Sequence, residues 1–184
     1  MRVSRVVLRF AGPAFVLVML GLASGCCQQQ AVDPSATEEM IALADRAHTI
    51  WNEGDLDLID DLVGPGYVRH VVDISEDIVG PVGFGEAVVA IRTQFPDFHV
   101  RFDEVIVAGD RIVLRWMVTG TDTGGVGELL PTGMPIQIYG ASVIHVIDGK
   151  FAEAWMYYNQ GAMMQQLGFT LTPPAMEVVE EAGE

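Results

Sequence analysis

Few side chains in this 184-residue sequence can do chemistry, and their positions limit the reaction classes. Both cysteines, Cys26 and Cys27, are adjacent and near the N-terminus, so the chain beyond them has no thiolate nucleophile, disulfide or cysteine zinc site. No two of the four histidines have a close metal-ligand spacing, and there is no serine elbow or phosphate-binding glycine loop. No metal and no cofactor is therefore predicted. Acid–base chemistry remains, and histidine titrates in the suitable range.

The N-terminus has the pattern of an export signal. Arg2, Arg5 and Arg9 precede an apolar stretch that is interrupted too early by Gly12, Pro13 and Gly21 to be a good spanning helix. The segment Leu22–Cys26 resembles the lipobox of bacterial lipoprotein signals, in which the cysteine is acylated and becomes the mature N-terminus. We therefore expect a signal peptide over 1–25, lipidation at Cys26, a tether over 26–36 and a location at the cell envelope, outside the cytoplasm. The alternative is an ordinary secreted protein with incidental cysteines.

Charge limits the partners. The chain has 10 basic and 25 acidic residues, a net charge of −15, and loss of the three arginines of the signal would make it more acidic. Such a surface repels nucleic acid and anionic lipid headgroups. Neither is a predicted partner, so contact with a membrane is expected through the lipid anchor only.

The periodicity of apolar residues changes from helical to alternating at Pro96. Before it we predict one helix from near Thr37 to Gly54, a short helix capped by Asp55, an extended segment over 67–70 and a helix over 83–95. After it the alternation predicts four strands and a closing helical turn: 98–108, 111–121, 136–147, 151–158 and 160–167. This order predicts one α+β domain over 37–170, with helices packed on one face of a curved sheet, followed by an acidic, disordered tail over 171–184.

Several short motifs follow one another in a fixed order along this domain: Trp51–Asp55, Tyr67–His70, Gly80–Phe84, Gln94–Phe98, Val118–Thr121, Pro131–Gly133, Asp148–Lys150 and Gln165–Gly168. Together they resemble the SnoaL-like polyketide cyclases from about Glu38 to Phe169. The resemblance implies a cone-shaped α+β barrel in which helices and a bent mixed or antiparallel sheet enclose a pocket. It also implies a homodimer formed through the open face of the sheet.

The same resemblance implies an aldol-type ring closure by a pocket acid–base group. It places one such histidine at His70 and another polar pocket group near His145. Where the family has carboxylates after the strand tryptophan, this chain has Met156 and Asn159. Asn159 can orient a carbonyl but cannot carry a proton near neutral pH, so proton transfer would pass to the histidines. The alternatives are a solvent-facing His70 and a core His145, since His145 alternates with apolar residues.

Aromatic side chains of the domain suit a flat, apolar ligand, although aromatics in strands are more often ordinary core. The candidates for ligand binding are Tyr67, Trp116, Tyr139, Trp155 and Tyr157. Two functions therefore remain. The first is a pocket protein that binds a small, apolar, carbonyl-bearing molecule at the cell envelope, a degenerate cyclase with little or no activity. The second is a cofactor-independent cyclase, isomerase or hydrolase-like enzyme that uses His70 and His145.

Overall fold

The computed structural model describes residues 34–71, 76–125, 130–170 and 172. The predicted signal peptide, Cys26 and, apart from position 172, the predicted acidic tail lie outside the described residues. Within the described ranges, no helix is both long enough and apolar enough to cross a membrane.

Four helices form in the described part of the chain: α1 (Pro34–Glu53), α2 (Ile59–Leu62), α3 (Gly80–Gln94) and α4 (Gln160–Gln166). Both α1 and α3 begin three residues before the predicted starts at Thr37 and 83. Proline stands in the first turn of each, at Pro34 and Pro81, where its missing N–H has no helical partner to lose and its fixed φ suits a helix. In α1 the side chain of Ile41 is 41% exposed. The apolar neighbours Met40 and Leu43 are buried instead.

The strands form one six-stranded mixed sheet: β1 (Val63–Val71), β2 (Ile78–Val79), β3 (His99–Ala108), β4 (Arg111–Thr121), β5 (Pro135–Ile147) and β6 (Lys150–Tyr158). The order is β2-β1-β6-β5-β4-β3, with β1 parallel to β6 and the other pairs antiparallel. The predicted α+β class, with helices packed on a sheet in the cone fold, is confirmed. The sheet is open rather than a closed barrel, because β2 and β3 are not paired with each other. Strand β2 was not predicted, since two residues are too few to show a period.

Family-like motifs hold the helices onto the sheet. The Asn52 side chain accepts a hydrogen bond from the Val100 N–H at 2.7 Å and donates one to the Val100 carbonyl at 2.9 Å, which fixes α1 to β3. Gly54 ends α1 with a φ of +74°, a conformation that other residues rarely adopt. Asp97 accepts hydrogen bonds from the backbone and hydroxyl of Thr121 at 2.6 and 2.7 Å, which lower the pKa of its carboxyl. These residues position the helices and strands around the interior.

Candidate functional site

A cavity of about 370 Å³ lies between the inner face of the sheet and α1, α3 and α4. This volume falls within the usual range for small-molecule sites. Its walls are mostly aromatic and aliphatic side chains, among them Trp51, Phe84, Phe98, Leu114, Trp116 and Ile144. Such a lining favours an apolar ligand that leaves water on binding.

The polar groups on this wall are few. Among the described residues that line the cavity there is no aspartate, glutamate, histidine or lysine. Ser142 already accepts a hydrogen bond from the Trp116 indole N–H at 3.0 Å. The hydroxyl of Ser142 can still donate, and the other polar side chains of the wall are Tyr67, Arg69 and Tyr158, together with Gln94 at the end of α3.

The guanidinium of Arg69 is the charged group of this wall. Its Cζ lies 5.0 Å from the centre of the Trp51 ring, and its Nη2 is 3.3 Å from the Met156 sulfur. Its Nη1 is buried and has no hydrogen-bond partner among the described residues. Burial lowers the pKa of Arg69, and the nearby phenols of Tyr67 and Tyr158 act in the opposite direction.

The two phenols near Arg69 remain protonated. Burial raises the pKa of Tyr67 to about 12, although Arg69 opposes the shift, and burial raises the pKa of Tyr158 in the same way. A neutral phenol donates one hydrogen bond, and a guanidinium donates several in a fixed fork. The three side chains together can therefore stabilise a carbonyl oxygen or a negatively charged oxygen within an apolar cavity.

Of the predicted ligand-binding residues, Tyr67 and Trp116 line the cavity. His70 does not, although it stands on the same strand as Tyr67. Its Nε2 is 3.0 Å from Glu153 and its Nδ1 is 2.8 Å from Asp77, so it can donate to both carboxylates only as the charged imidazolium. The hydrogen bonds to Glu153 and then to Asp77 raise the pKa of His70. The alternative of a solvent-facing His70 matches its position.

The other predicted residues of β5 and β6 share the outer face of the sheet with His70. The His145 Nε2 pairs with Asp110 at 2.8 Å, and Trp155 stacks beside His70 with ring centres 5.5 Å apart. Tyr139 and Tyr157 are 59% and 47% exposed. None of these four side chains lines the cavity. The alternation of β5 and β6 was predicted correctly, but it groups residues by face without telling which face is inside.

Asn159 caps the N-terminus of α4. Its side-chain oxygen accepts a hydrogen bond from the Ala162 N–H at 2.8 Å, and the residue is exposed and outside the cavity. His70, His145 and Asn159 therefore do not converge on this cavity. Each of these side chains instead has a structural partner on the surface.

Asp122 is the buried carboxylate of the described chain, and it serves the frame as well. Its Oδ2 accepts hydrogen bonds from the Thr132 N–H at 3.0 Å and hydroxyl at 2.9 Å. Burial alone would raise the pKa of Asp122, but these hydrogen bonds lower it on balance. Asp122 does not line the cavity, so it supplies no proton acceptor there.

Sequence reasoning missed Arg69, although its motif was noted. In a strand, residues two apart share a face, so Arg69 faces the same way as Tyr67, and His70 faces the opposite way. Tyr67 and His70 could not both be pocket residues on a regular strand. Applying that period to the segment 67–70 would have replaced His70 by Arg69 as the polar pocket group.

Comparison with known proteins agrees with the fold. The family model of the SnoaL-like polyketide cyclases matches residues 41–167. None of the curated proteins compared matches the chain. Among solved structures, a candidate polyketide cyclase from Bacillus cereus ATCC 10987 is 26% identical, with a TM-score of 0.63, over 74% of this chain and 85% of that one.

Two further structures share the fold, and one of them is named as a candidate hydroxylase rather than as a cyclase. AclR, a candidate hydroxylase from Streptomyces galilaeus, is 25% identical over 75% of this chain and 86% of that one, with a TM-score of 0.62. TsrD from Streptomyces laurentii shares the fold at 22% identity, with a TM-score of 0.64, over 75% and 98% of the two chains. Since the family model covers most of the described domain, the chain belongs to the SnoaL-like polyketide cyclase family.

Proposed function

We propose that this domain binds a small, flat, apolar molecule bearing a carbonyl group and holds it without transforming it. The observation that carries the proposal is the composition of the cavity: an apolar chamber of about 370 Å³ with one cluster of hydrogen-bond donors at Arg69. Apolar walls supply the affinity, and a few placed polar groups fix the orientation of the ligand.

Proton transfer requires a base within hydrogen-bond reach of the substrate. The described cavity wall carries no carboxylate and no histidine, and its phenols are held in their protonated form. His70 and His145 are engaged with carboxylates on the opposite face of the sheet. These placements favour binding over the alternative of an acid–base enzyme.

Binding is tested with 2-acetylnaphthalene, a flat apolar ketone, titrated into the full-length chain while tryptophan emission is followed. Trp51 and Trp116 line the cavity, so the emission should change and saturate. Ala154 lines the cavity, whereas Ala141 pairs with Arg115 and Tyr157 on the outer face. Ala154→Leu should therefore abolish binding and Ala141→Leu should leave it unchanged. Equal behaviour of the two variants, or no saturable change in the wild type, would refute the proposal.

The enzymatic alternative has its own measurement. Exchange of the methyl hydrogens of 2-acetylnaphthalene in D₂O reports removal of a proton beside the carbonyl. We expect no acceleration by the wild-type chain. A positioned general base contributes roughly 10²–10⁴-fold, so a catalytic site would be readily detected. Acceleration that Ala154→Leu removes would establish the enzyme instead.

We also propose that the domain works at the cell envelope, held by a lipid on Cys26. The support is the basic start, the apolar stretch and the lipobox-like segment 22–26 of the sequence. Replacing Cys26 with serine should release the protein from the membrane fraction of cells. If the wild-type protein is found unacylated and still sediments with membranes, this part of the proposal fails.

A further inference from the structure

Arg69 carries a positive charge that has no counter-charge in the described part of the chain. Three other arginines of the described chain pair with carboxylates; of these, Arg101 lies 2.7 Å from Asp103, and Arg115 lies 3.2 Å from Asp103 and from Glu104. Arg46 and Arg92 instead donate to backbone carbonyls. No described carboxylate lies within ion-pair distance of Arg69, although the chain has 25 acidic and only 10 basic residues. Among the residues that the structure describes, the guanidinium of Arg69 therefore has no acidic neighbour, and it lines the cavity.

The contacts of Arg69 with described residues orient its guanidinium but leave part of its hydrogen-bonding capacity unused. The guanidinium lies over the Trp51 ring, and its Nη2 donates a weak hydrogen bond to the Met156 sulfur. Nη1 is buried and unpartnered among the described residues. A buried donor without an acceptor costs free energy, and a charged one costs more. An acceptor that enters the cavity would recover this cost on binding.

Resting on the proposed function, we infer that the polar group of the ligand is a carboxylate, so that the natural ligand is a flat apolar acid anchored on Arg69. A guanidinium presents a fork that matches the two oxygens of a carboxylate, whereas a ketone can occupy only part of that fork. Tyr67 and Tyr158 supply further donors beside it. The negative surface of the protein opposes an anion only weakly, because charges in water are screened over about 8–10 Å at moderate salt.

The test uses a matched pair of probes, 2-naphthoate and 2-acetylnaphthalene, which differ in the carboxylate and the methyl ketone. Both are titrated calorimetrically into the full-length chain. The wild type should bind 2-naphthoate at least about tenfold more tightly, since hydrogen bonds to charged groups are the stronger ones. Arg69→Met should weaken 2-naphthoate roughly 10- to 100-fold and leave 2-acetylnaphthalene within about threefold.

Two further variants guard the interpretation. Arg69→Lys keeps a positive charge but loses the forked N–H donors of the guanidinium, so it should bind 2-naphthoate with intermediate affinity. If Arg69→Met does not fold, Arg69→Lys takes its place as the test of the anchor. Arg101→Met removes an exposed charge on the outer face and should change neither affinity.

The outcomes separate this inference from the proposed function. If both probes bind the wild type equally, or if the preference for 2-naphthoate survives Arg69→Met, the carboxylate anchor is wrong and the binding function stands. If neither probe binds the wild type, the proposed function fails and the anchor fails with it.

Discussion

Replacement of Arg69 by methionine should stabilise the ligand-free protein while removing its anchor. Taking a charge out of water costs several kcal/mol, and replacing buried charges by apolar groups of similar volume is often stabilising by about 1–4 kcal/mol. The Arg69 Cζ lies 5.0 Å from the centre of the Trp51 ring, and this cation–π contact stabilises the wild type by about 0.5–2 kcal/mol. The variant loses this contribution. The middle values of these two ranges differ by about 1 kcal/mol, so we expect Arg69→Met to raise the free energy of unfolding by about that amount.

The assay is urea and thermal unfolding of the full-length chain, followed by far-UV circular dichroism, because Trp51 emission would itself respond to the substitution. For a domain of this size the gain corresponds to a rise in Tm of roughly 2–5 °C. Arg101→Met is the matched control and should leave the free energy of unfolding nearly unchanged, since Arg101 is exposed. A loss of stability in Arg69→Met beyond that of the control would refute the reasoning, because it would mean that the free protein already satisfies the guanidinium.

Three further predictions follow from the contacts outside Arg69. The pairing with Glu153 raises the pKa of His70, so its stabilising contribution is full below the ordinary histidine pKa and is lost as pH rises through the raised value. The urea midpoint of the wild type should accordingly fall more steeply over about pH 6–8 than that of His70→Asn, and parallel profiles would contradict the pairing. Asn159→Ala should lower the free energy of unfolding in urea by about 1 kcal/mol, because it removes the cap of α4. Asn159→Asp should keep the cap and should not accelerate exchange of the methyl hydrogens of 2-acetylnaphthalene in D₂O. Faster exchange in Asn159→Asp would show that residue 159 reaches the ligand. A Cβ on Gly140 would overlap the Trp116 ring, so Gly140→Ala should lower the free energy of unfolding by about 1–3 kcal/mol and shift the tryptophan emission, and an unchanged urea midpoint would show that the ring has room to move.

The sequence was sufficient for the frame of this fold. Alternation located β3 to β6 within one residue at each end, because long amphipathic strands show their period clearly. The prolines at the helix starts caused the errors there, since Pro34 and Pro81 were taken as lying outside helices that include them. The two-residue strand β2 and the parallel pairing of β1 with β6 depend on contacts between distant segments, which no local pattern encodes.

The site was harder to predict, because both faces of β5 carry apolar residues. Ile138, Ile144 and Val146 are buried on the inner face, while Tyr139 and His145 lie on the outer one. When both faces of a strand carry apolar residues, hydropathy does not tell which face is buried, so the outer aromatic residues were assigned to the cavity. The residue type also misled the prediction. His70 was assigned the catalytic role because histidine titrates near neutral pH, but it is Arg69 on the same strand that lines the cavity.

The most direct test of the account is the location of bound 2-naphthoate, measured by nuclear Overhauser effects from its ring protons to labelled isoleucine methyl groups of the full-length chain. Ile136, Ile138 and Ile144 line the cavity, whereas Ile106 and Ile147 are exposed and belong to the outer face of the sheet. The predicted result is contacts to isoleucines of the cavity wall alone, which also include Ile78 and Ile91, and loss of these contacts in Arg69→Met at the same ligand concentration. Contacts to Ile106 or Ile147, or cavity contacts that persist undiminished in Arg69→Met, would contradict it.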